Sequence, residues 1–406
     1  MIELNYSSAQ VNELEHLQIA GSKSESNRLL ILQALFKNLS LSNLSNAKDT
    51  QVLQQALENK EDIIDIGHAG TAMRFLTAYY SVTTQNTIIL QGSQRMHQRP
   101  IKILVHALKT LGADITYVEN GGFPPLQISP SKLIQDEIEL DASISSQYIT
   151  ALMLIAPILE NGLKINLKGK VTSLPYLTMT LKLMQEAGFE LIFQHQQIQI
   201  FPSQSIPKKH IEVESDWSSA SYIYAAFLLS KMEKLQLSTY FKDSKQGDAY
   251  VILFFEKLGV KTLFDENQLI LEKVDVELPK NMQLDLNQTP DLAQTFALVG
   301  LILGIDMHFT GLATLKIKET DRIEALKTEM EKLGAKVNTG NDYLAFTCPS
   351  ILNSNQLIST YQDHRMAMAF ALVAFKTSVR IENPEVVNKS YPNFWKDLEK
   401  FGVVVS

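Results

Sequence analysis

The stretch Gly21–Arg28 places three serine hydroxyls, Lys23 and Arg28 where an extended segment should give way to the apolar run Leu29–Phe36. Ser24 or Ser26 can cap the helix expected there. Free N–H groups and the helix dipole attract anions at such a start, and Lys23 and Arg28 add full positive charge at the same end. Together these groups suit a phosphate or a carboxylate; the plain alternative is a well-capped surface helix. Other turns have the same character. Gly67, Gly70 and Thr71 precede Arg74, so a ligand could approach the backbone at Gly70 closely and Thr71 could cap. Arg95, His97 and Arg99 stand just before Pro100, which can open a helix. Ser145, Ser146 and Gln147, and again Ser173 and Tyr176, offer hydroxyls and an amide to polar groups. Pro290-Asp291 supplies a carboxylate that could cap a helix or act as a base. Lys318, Glu319, Thr320, Asp321 and Arg322 pack five polar residues before an amphipathic helix. Asp363, His364 and Arg365 open another apolar run, and Lys389 follows an Asn-Pro turn.

The use of arginine sharpens this reading. Of 37 basic residues only seven are arginine, and Arg28, Arg74, Arg322 and Arg365 all fall near expected helix starts, where a cation opposes the dipole. Arginine is the residue whose planar fork grips carboxylate or phosphate. Four such placements fit bound anions better than four separate salt bridges. The net charge of −7 argues against nucleic acid or an anionic membrane as the main partner. A single cysteine, Cys348, excludes an internal disulfide framework and a cysteine-based metal site. No signal peptide and no apolar run of spanning length is evident, so a cytoplasmic location is expected.

The elements that must position these residues recur at roughly 70-residue spacing. Six runs are apolar on nearly every side and should be buried helices: Leu29–Phe36, Ala72–Tyr80, Ile149–Leu159, Ala220–Leu229, Leu292–Leu303 and His364–Phe375. Five second helices end at Gly112, Gly188, Gly259, Gly334 and Gly402 and run into strands. Ile323, Leu326, Met330 and Leu333 form one apolar stripe, with Asp321 and Glu324 at cap spacing. With 406 residues more than one domain is expected. The polar, proline-bearing segment Phe201–Asp216 reads as a boundary that divides the six units three and three.

Taken in order, Gly-Ser-Lys-Ser-x-Ser-Asn-Arg, Ala-Gly-Thr-Ala-Met-Arg, Arg-Pro, Ser-Ser-Gln, Pro-Asp, Lys-Glu-Thr-Asp-Arg and Asp-His-Arg-Met-Ala resemble the 5-enolpyruvylshikimate-3-phosphate synthase family, from Gly21 to Lys389. The resemblance implies an α/β (α+β) chain of two similar domains. Each would have three βαβαββ-type repeats with buried helices, an inside-out, barrel-like α/β arrangement, joined by two chain crossings. Residues 1–19 with 215–406 would form the mainly phosphoenolpyruvate side, and 20–214 the mainly shikimate 3-phosphate side, with the domains closing on their ligands. It also implies a transferase of aromatic amino-acid biosynthesis (chorismate formation), working as a cytoplasmic monomer without cofactor or metal. Carried over by motif, Lys23, Ser24, Arg28, Ser145, Ser146, Gln147, Ser173, Tyr176, Asp291 and Lys318 would hold shikimate 3-phosphate. Lys23, Gly70, Arg99, Gln147, Arg322, Arg365 and Lys389 would hold phosphoenolpyruvate. Asp291 would be the base, Glu319 and Lys23 the proton donors or relays, and Arg74 a support for the Gly70 turn.

Three positions depart from the common pattern: His68 for Asn, Phe75 for Pro and Ala20 for Pro. These bear on inhibitor sensitivity and fine affinity more than on the reaction. The related UDP-N-acetylglucosamine enolpyruvyl transferase uses a cysteine acid in an arginine-flanked loop. Cys348 sits instead in the strand-like Ala345–Pro349, where a small buried residue is expected. A non-catalytic anion-binding protein of the same fold would be expected to have lost Asp291, Glu319 or Lys23, and all three are present.

Overall fold

The computed structural model describes every residue except 11–15, 60, 142–145 and 170–173. The chain forms two compact units, Met1–Ala20 with Glu214–Ser406, and Gly21–Val213. Each has its own apolar core. No helix among the described residues is long and apolar enough to cross a membrane.

Among the described residues, five four-stranded sheets share one topology: a parallel pair extended by two antiparallel strands. In Ile63–Asp65, Ile88–Gln91, Leu126–Ser129 and Asp114–Tyr117, Ile64 pairs with Leu90 and Ile128 with Ile88 and Ile115. One sheet of the first unit joins both chain ends, pairing Leu4 with Val379 and with Val405. In the Gly21–Val213 unit, Leu39–Ser42 and Lys209–Glu212 form only a parallel pair among the described residues. All the sheets are open; no closed barrel forms among the described residues. The segment expected as a polar boundary therefore contains a strand, because Ile211 and Val213 alternate inward and are buried.

The apolar runs are helices, Lys23–Leu35, Gly70–Thr83, Ser146–Ile155, Trp217–Leu229, Ala293–Leu303 and His364–Ala371, and they are mostly buried. Ala293–Leu303 has apolar side chains on almost every side, so it must be enclosed. Phe296 stacks on Phe254 with ring centroids 3.8 Å apart, and such a pair adds about 0.5–1.5 kcal/mol beyond its buried area. The glycines expected to stop the second helices have φ of +90° to +120°, a region that is costly for residues with a Cβ.

Two expected caps are replaced by neighbours. Ser22, not Ser24 or Ser26, caps Lys23–Leu35 by accepting from the Glu25 N–H. The helix starts two residues earlier than Ser24 would require, and Ser26 Oγ instead accepts from the Ser45 N–H at 2.9 Å. Thr71 lies inside Gly70–Thr83, whose N-cap position is Ala69.

Candidate functional site

In the first unit the chemistry-bearing residues meet around one buried guanidinium. Arg322 opens the helix Arg322–Lys332, whose start is fixed by Asp321 accepting from the Ile323 and Glu324 N–H groups. Asp363 caps His364–Ala371 by accepting from the Arg365 N–H at 2.9 Å. Its fully buried carboxylate also grips Arg322 through Nε at 2.6 Å and Nη2 at 3.3 Å. The remaining donors of the fork reach Asp291 Oδ1 at 2.9 Å and Glu319 Oε2 at 3.0 Å. Asp291 also receives Lys318 at 3.3 Å and, on Oδ2, Arg365 at 3.1 Å. Lys389 Nζ lies 2.5 Å from Glu319 Oε1. Arg365 further donates to the Asp291 carbonyl and to Ser218 Oγ, and Ser218 Oγ donates to the buried Asp248.

Four cations, Lys318, Arg322, Arg365 and Lys389, thus face Asp291, Glu319, Asp363 and Asp248. Burial alone would raise the Asp291 pKa, but Arg365, Lys318 and Arg322 hold it well below the usual carboxylate range. Burial alone would lower the Arg322 pKa, and Asp363, Glu319 and Asp291 raise it instead. Asp248 is pushed up from 3.8 to about 6, first by burial, with Arg365 pulling the other way. The Asp291 carboxylate is spent on cations, and the N-cap position of its turn is Thr289.

The Gly21–Val213 unit gathers its cations differently. Arg28 is buried, and the groups that accept from it are neutral: Thr180 Oγ1 at 2.8 Å, the Ser24 carbonyl at 2.7 Å and the Tyr176 carbonyl at 3.4 Å. Its guanidinium lies 5.7 Å from the centroid of the Phe75 ring, a cation–π contact. Phe75, one of the three departures from the common pattern, thus packs against Arg28. Burial lowers the Arg28 pKa to about 10, partly offset by Tyr176 and Glu25. Lys23 Nζ is 3.2 Å from Asp49 Oδ2.

A Cβ on Gly70 would lie 2.3 Å from Arg99 Nη1, so the Arg99 guanidinium rests directly against this helix start. Arg74, expected to support the turn, donates to the Gly70 carbonyl at 2.9 Å and the Pro100 carbonyl at 3.2 Å. Gln147 Nε2 lies 3.4 Å from Thr71 Oγ1, and Ser146 is buried at the start of the same helix as Gln147. His68 hydrogen-bonds Ser93 at 2.8 Å. Arg95 donates to Gln98 Oε1 at 3.0 Å, a local contact, and His97 Nδ1 lies 3.5 Å from Glu119 Oε2. Ser145 and Ser173 lie outside the described residues. A Cβ on Gly21 would fall 1.7 Å from the Asn43 carbonyl oxygen, so only glycine fits where this turn begins.

A cavity of about 610 Å³ between Lys102–Leu111 and Glu137–Asp141 contains none of these residues. Among the described residues no group of three His, Cys, Asp or Glu side chains is placed to hold a metal ion. Cys348 Sγ is 3.4 Å from the Ile305 carbonyl, and burial pushes its thiol up to about 12. Sequence reasoning assigned no role to Asp49, Ser218, Asp248 or Asp363. Ser218-Ser219 at a buried helix start and Asp363 at a cap position were available signals; Asp49 and Asp248 had none.

Comparison with known proteins agrees over most of the chain. Residues 41–398 match the family model described as EPSP synthase (3-phosphoshikimate 1-carboxyvinyltransferase). A 3-phosphoshikimate 1-carboxyvinyltransferase of Bacteroides fragilis is 46% identical over 397 residues, covering 95% of each chain. One from Haemophilus influenzae is 36% identical over 419 residues with the same coverage. In fold, the chain is similar to EPSP synthase from Acinetobacter baumannii, with TM-score 0.73 at 17% identity and 100% of both chains covered. The enolpyruvyl transferase NikO from Streptomyces tendae has the same TM-score at 13% identity, with 100% of this chain and 98% of that one covered.

Proposed function

This chain belongs to the EPSP synthase family, and we infer that it transfers the enolpyruvyl group of phosphoenolpyruvate to the 5-hydroxyl of shikimate 3-phosphate. The hydroxyl oxygen adds to C2 while C3 gains a proton, giving a tetrahedral intermediate. Loss of that proton and of phosphate then leaves 5-enolpyruvylshikimate 3-phosphate. Protons move and no electrons are exchanged with a redox partner, so the reaction calls for acids, bases and anion holders rather than a cofactor.

The observation that carries this reading is the sharing of Arg322 by Asp291, Glu319 and Asp363. A fork held in place by buried Asp363 is pre-aimed for an anion, and two carboxylates stand ready beside it for proton transfer. In the proposal Asp291, held ionised, takes the proton of the 5-hydroxyl, and Glu319 serves C3, with Lys23 as relay. Arg99, Arg322, Arg365, Lys389, Gly70, Gln147 and Lys23 hold phosphoenolpyruvate. Lys23, Ser24, Arg28, Ser145, Ser146, Gln147, Ser173, Tyr176, Asp291 and Lys318 hold shikimate 3-phosphate. The protein works as a cytoplasmic monomer in this reading.

The rival acceptor, UDP-N-acetylglucosamine, is disfavoured by Cys348, whose thiol is turned to the backbone carbonyls of Gly300 and Ile305. A phosphate-release assay separates the possibilities. Release that requires both phosphoenolpyruvate and shikimate 3-phosphate is expected. Release with UDP-N-acetylglucosamine instead, or none with either acceptor, would overturn the proposal.

A further inference from the structure

Asp363, which fixes the Arg322 fork, is delivered by a backbone turn that its own residues disfavour. Tyr361 and Gln362 have φ of +54° and +56°, and the Asp363 N–H donates to the Thr360 carbonyl at 2.9 Å. Positive φ at both central residues of a hydrogen-bonded four-residue turn is the type I′ pattern, which favours Gly, Asn or Asp. Tyr and Gln each carry a Cβ that makes this conformation costly, so the surroundings must hold it.

The helix Arg322–Lys332 does the holding. Glu329 stands about two helical turns after Arg322, so both residues share one face. Its side chain is fully buried. Oε1 accepts from the Tyr361 hydroxyl at 2.7 Å, and Oε2 accepts from the Ser359 N–H at 3.2 Å. Lys332 Nζ reaches the same Oε2 at 2.6 Å and the Leu357 carbonyl at 3.1 Å. Burial, and then the bond to Glu329, raise the Tyr361 pKa, so its hydroxyl remains a donor. The segment 357–363 is therefore stitched to one helix at two places. Lys332 and Glu329 hold it at and before the turn, and Arg322 holds Asp363 after the turn.

We propose that Glu329 and Tyr361 are positioning residues: they keep the turn at Tyr361 and Gln362 left-handed, which keeps both Asp363 oxygens on Arg322 and the fork aimed at phosphoenolpyruvate. If the turn relaxes, Asp363 withdraws and Asp291 and Glu319 pull the guanidinium their way. This rests on the functional reading above and extends the phosphoenolpyruvate grip to residues that act on it through the backbone.

Steady-state kinetics with both substrates test this in Tyr361→Phe, and in Tyr361→Phe combined with Gln362→Gly. The first should raise the KM for phosphoenolpyruvate by about tenfold, the scale of one lost hydrogen bond to a charged group, with the KM for shikimate 3-phosphate unchanged. Glycine adopts positive φ freely, so adding Gln362→Gly should recover most of that loss although it restores no contact. Gln362→Gly alone should match the wild type. Hydrogen exchange at the Asp363 amide should quicken in Tyr361→Phe and slow again in the double variant. Wild-type phosphoenolpyruvate kinetics in Tyr361→Phe, a KM rise shared equally by both substrates, or no recovery with Gln362→Gly would overturn the inference alone. A wild-type protein that releases no phosphate from the two substrates would overturn the functional reading instead.

Discussion

The two units hold their buried arginines by opposite means. Around Arg322 and Arg365 the protein supplies its own carboxylates, and the cluster is internally paired. Around Arg28 it supplies hydroxyl and carbonyl oxygens and an aromatic face, and burial depresses the guanidinium pKa. A buried cation without an ion-pair partner is costly, and an arriving anion relieves that cost. The Gly21–Val213 unit thus suits a ligand that brings charge and is held. The other unit suits a ligand whose protons must be moved, because it spends carboxylates where simple binding would not need them.

This contrast is broken most forcefully at Asp291. Asp291→Asn should lower kcat by at least about a hundredfold, the scale of a lost proton-transfer group, while the KM for phosphoenolpyruvate changes little or falls. Steady-state kinetics check this; near-wild-type turnover would reduce Asp291 to a structural pair for its cations.

Asp248 gives the next effect, on stability. Its folded pKa of about 6, raised by burial, exceeds the ordinary 3.8. The folded state therefore binds this proton more tightly than the unfolded chain. The stabilisation is complete below the unfolded value and is lost as pH rises through about 6. Asp248→Asn lacks the titration, so from about pH 4 to pH 8 the wild type should lose about 2–3 kcal/mol relative to the variant. Urea unfolding at several pH values measures it, and parallel curves would contradict it.

Arg28→Lys keeps charge but loses the fork. It should weaken shikimate 3-phosphate binding by about 1–3 kcal/mol, seen as a raised KM with kcat nearly kept. An equal loss in kcat would erase the distinction between the units. The smallest effect is expected at Cys348→Ala: turnover unchanged and stability reduced by about 1 kcal/mol or less, since only a weak thiol donor and little volume are removed. A large loss of activity would revive the cysteine-acid reading.

Much of this was legible in residue order. Arg322 and Arg365 stand at helix starts because Asp321 and Asp363 are caps of ordinary spacing, and the apolar run over Ala293–Leu303 has no solvent-tolerant face. What local pattern does not encode is pairing across distance. Asp248 reaches Ser218 across 30 residues and Lys23 reaches Asp49 across 26, through turns whose sequences resemble any polar turn. The Ser22 cap was missed for a smaller reason. Three serines in five residues are equivalent by propensity, and the choice is made by Ser26, which serves Ser45.

The claim that the carboxylates that move protons belong to one unit, with Lys23 of the other unit only a relay, is tested most directly by running the reaction in deuterium oxide with both substrates. Deuterium should enter C3 of phosphoenolpyruvate in the wild type, and in Arg28→Lys at saturating shikimate 3-phosphate. It should be lost in Glu319→Gln at equal substrate occupancy. Incorporation at the wild-type rate in Glu319→Gln would contradict the account.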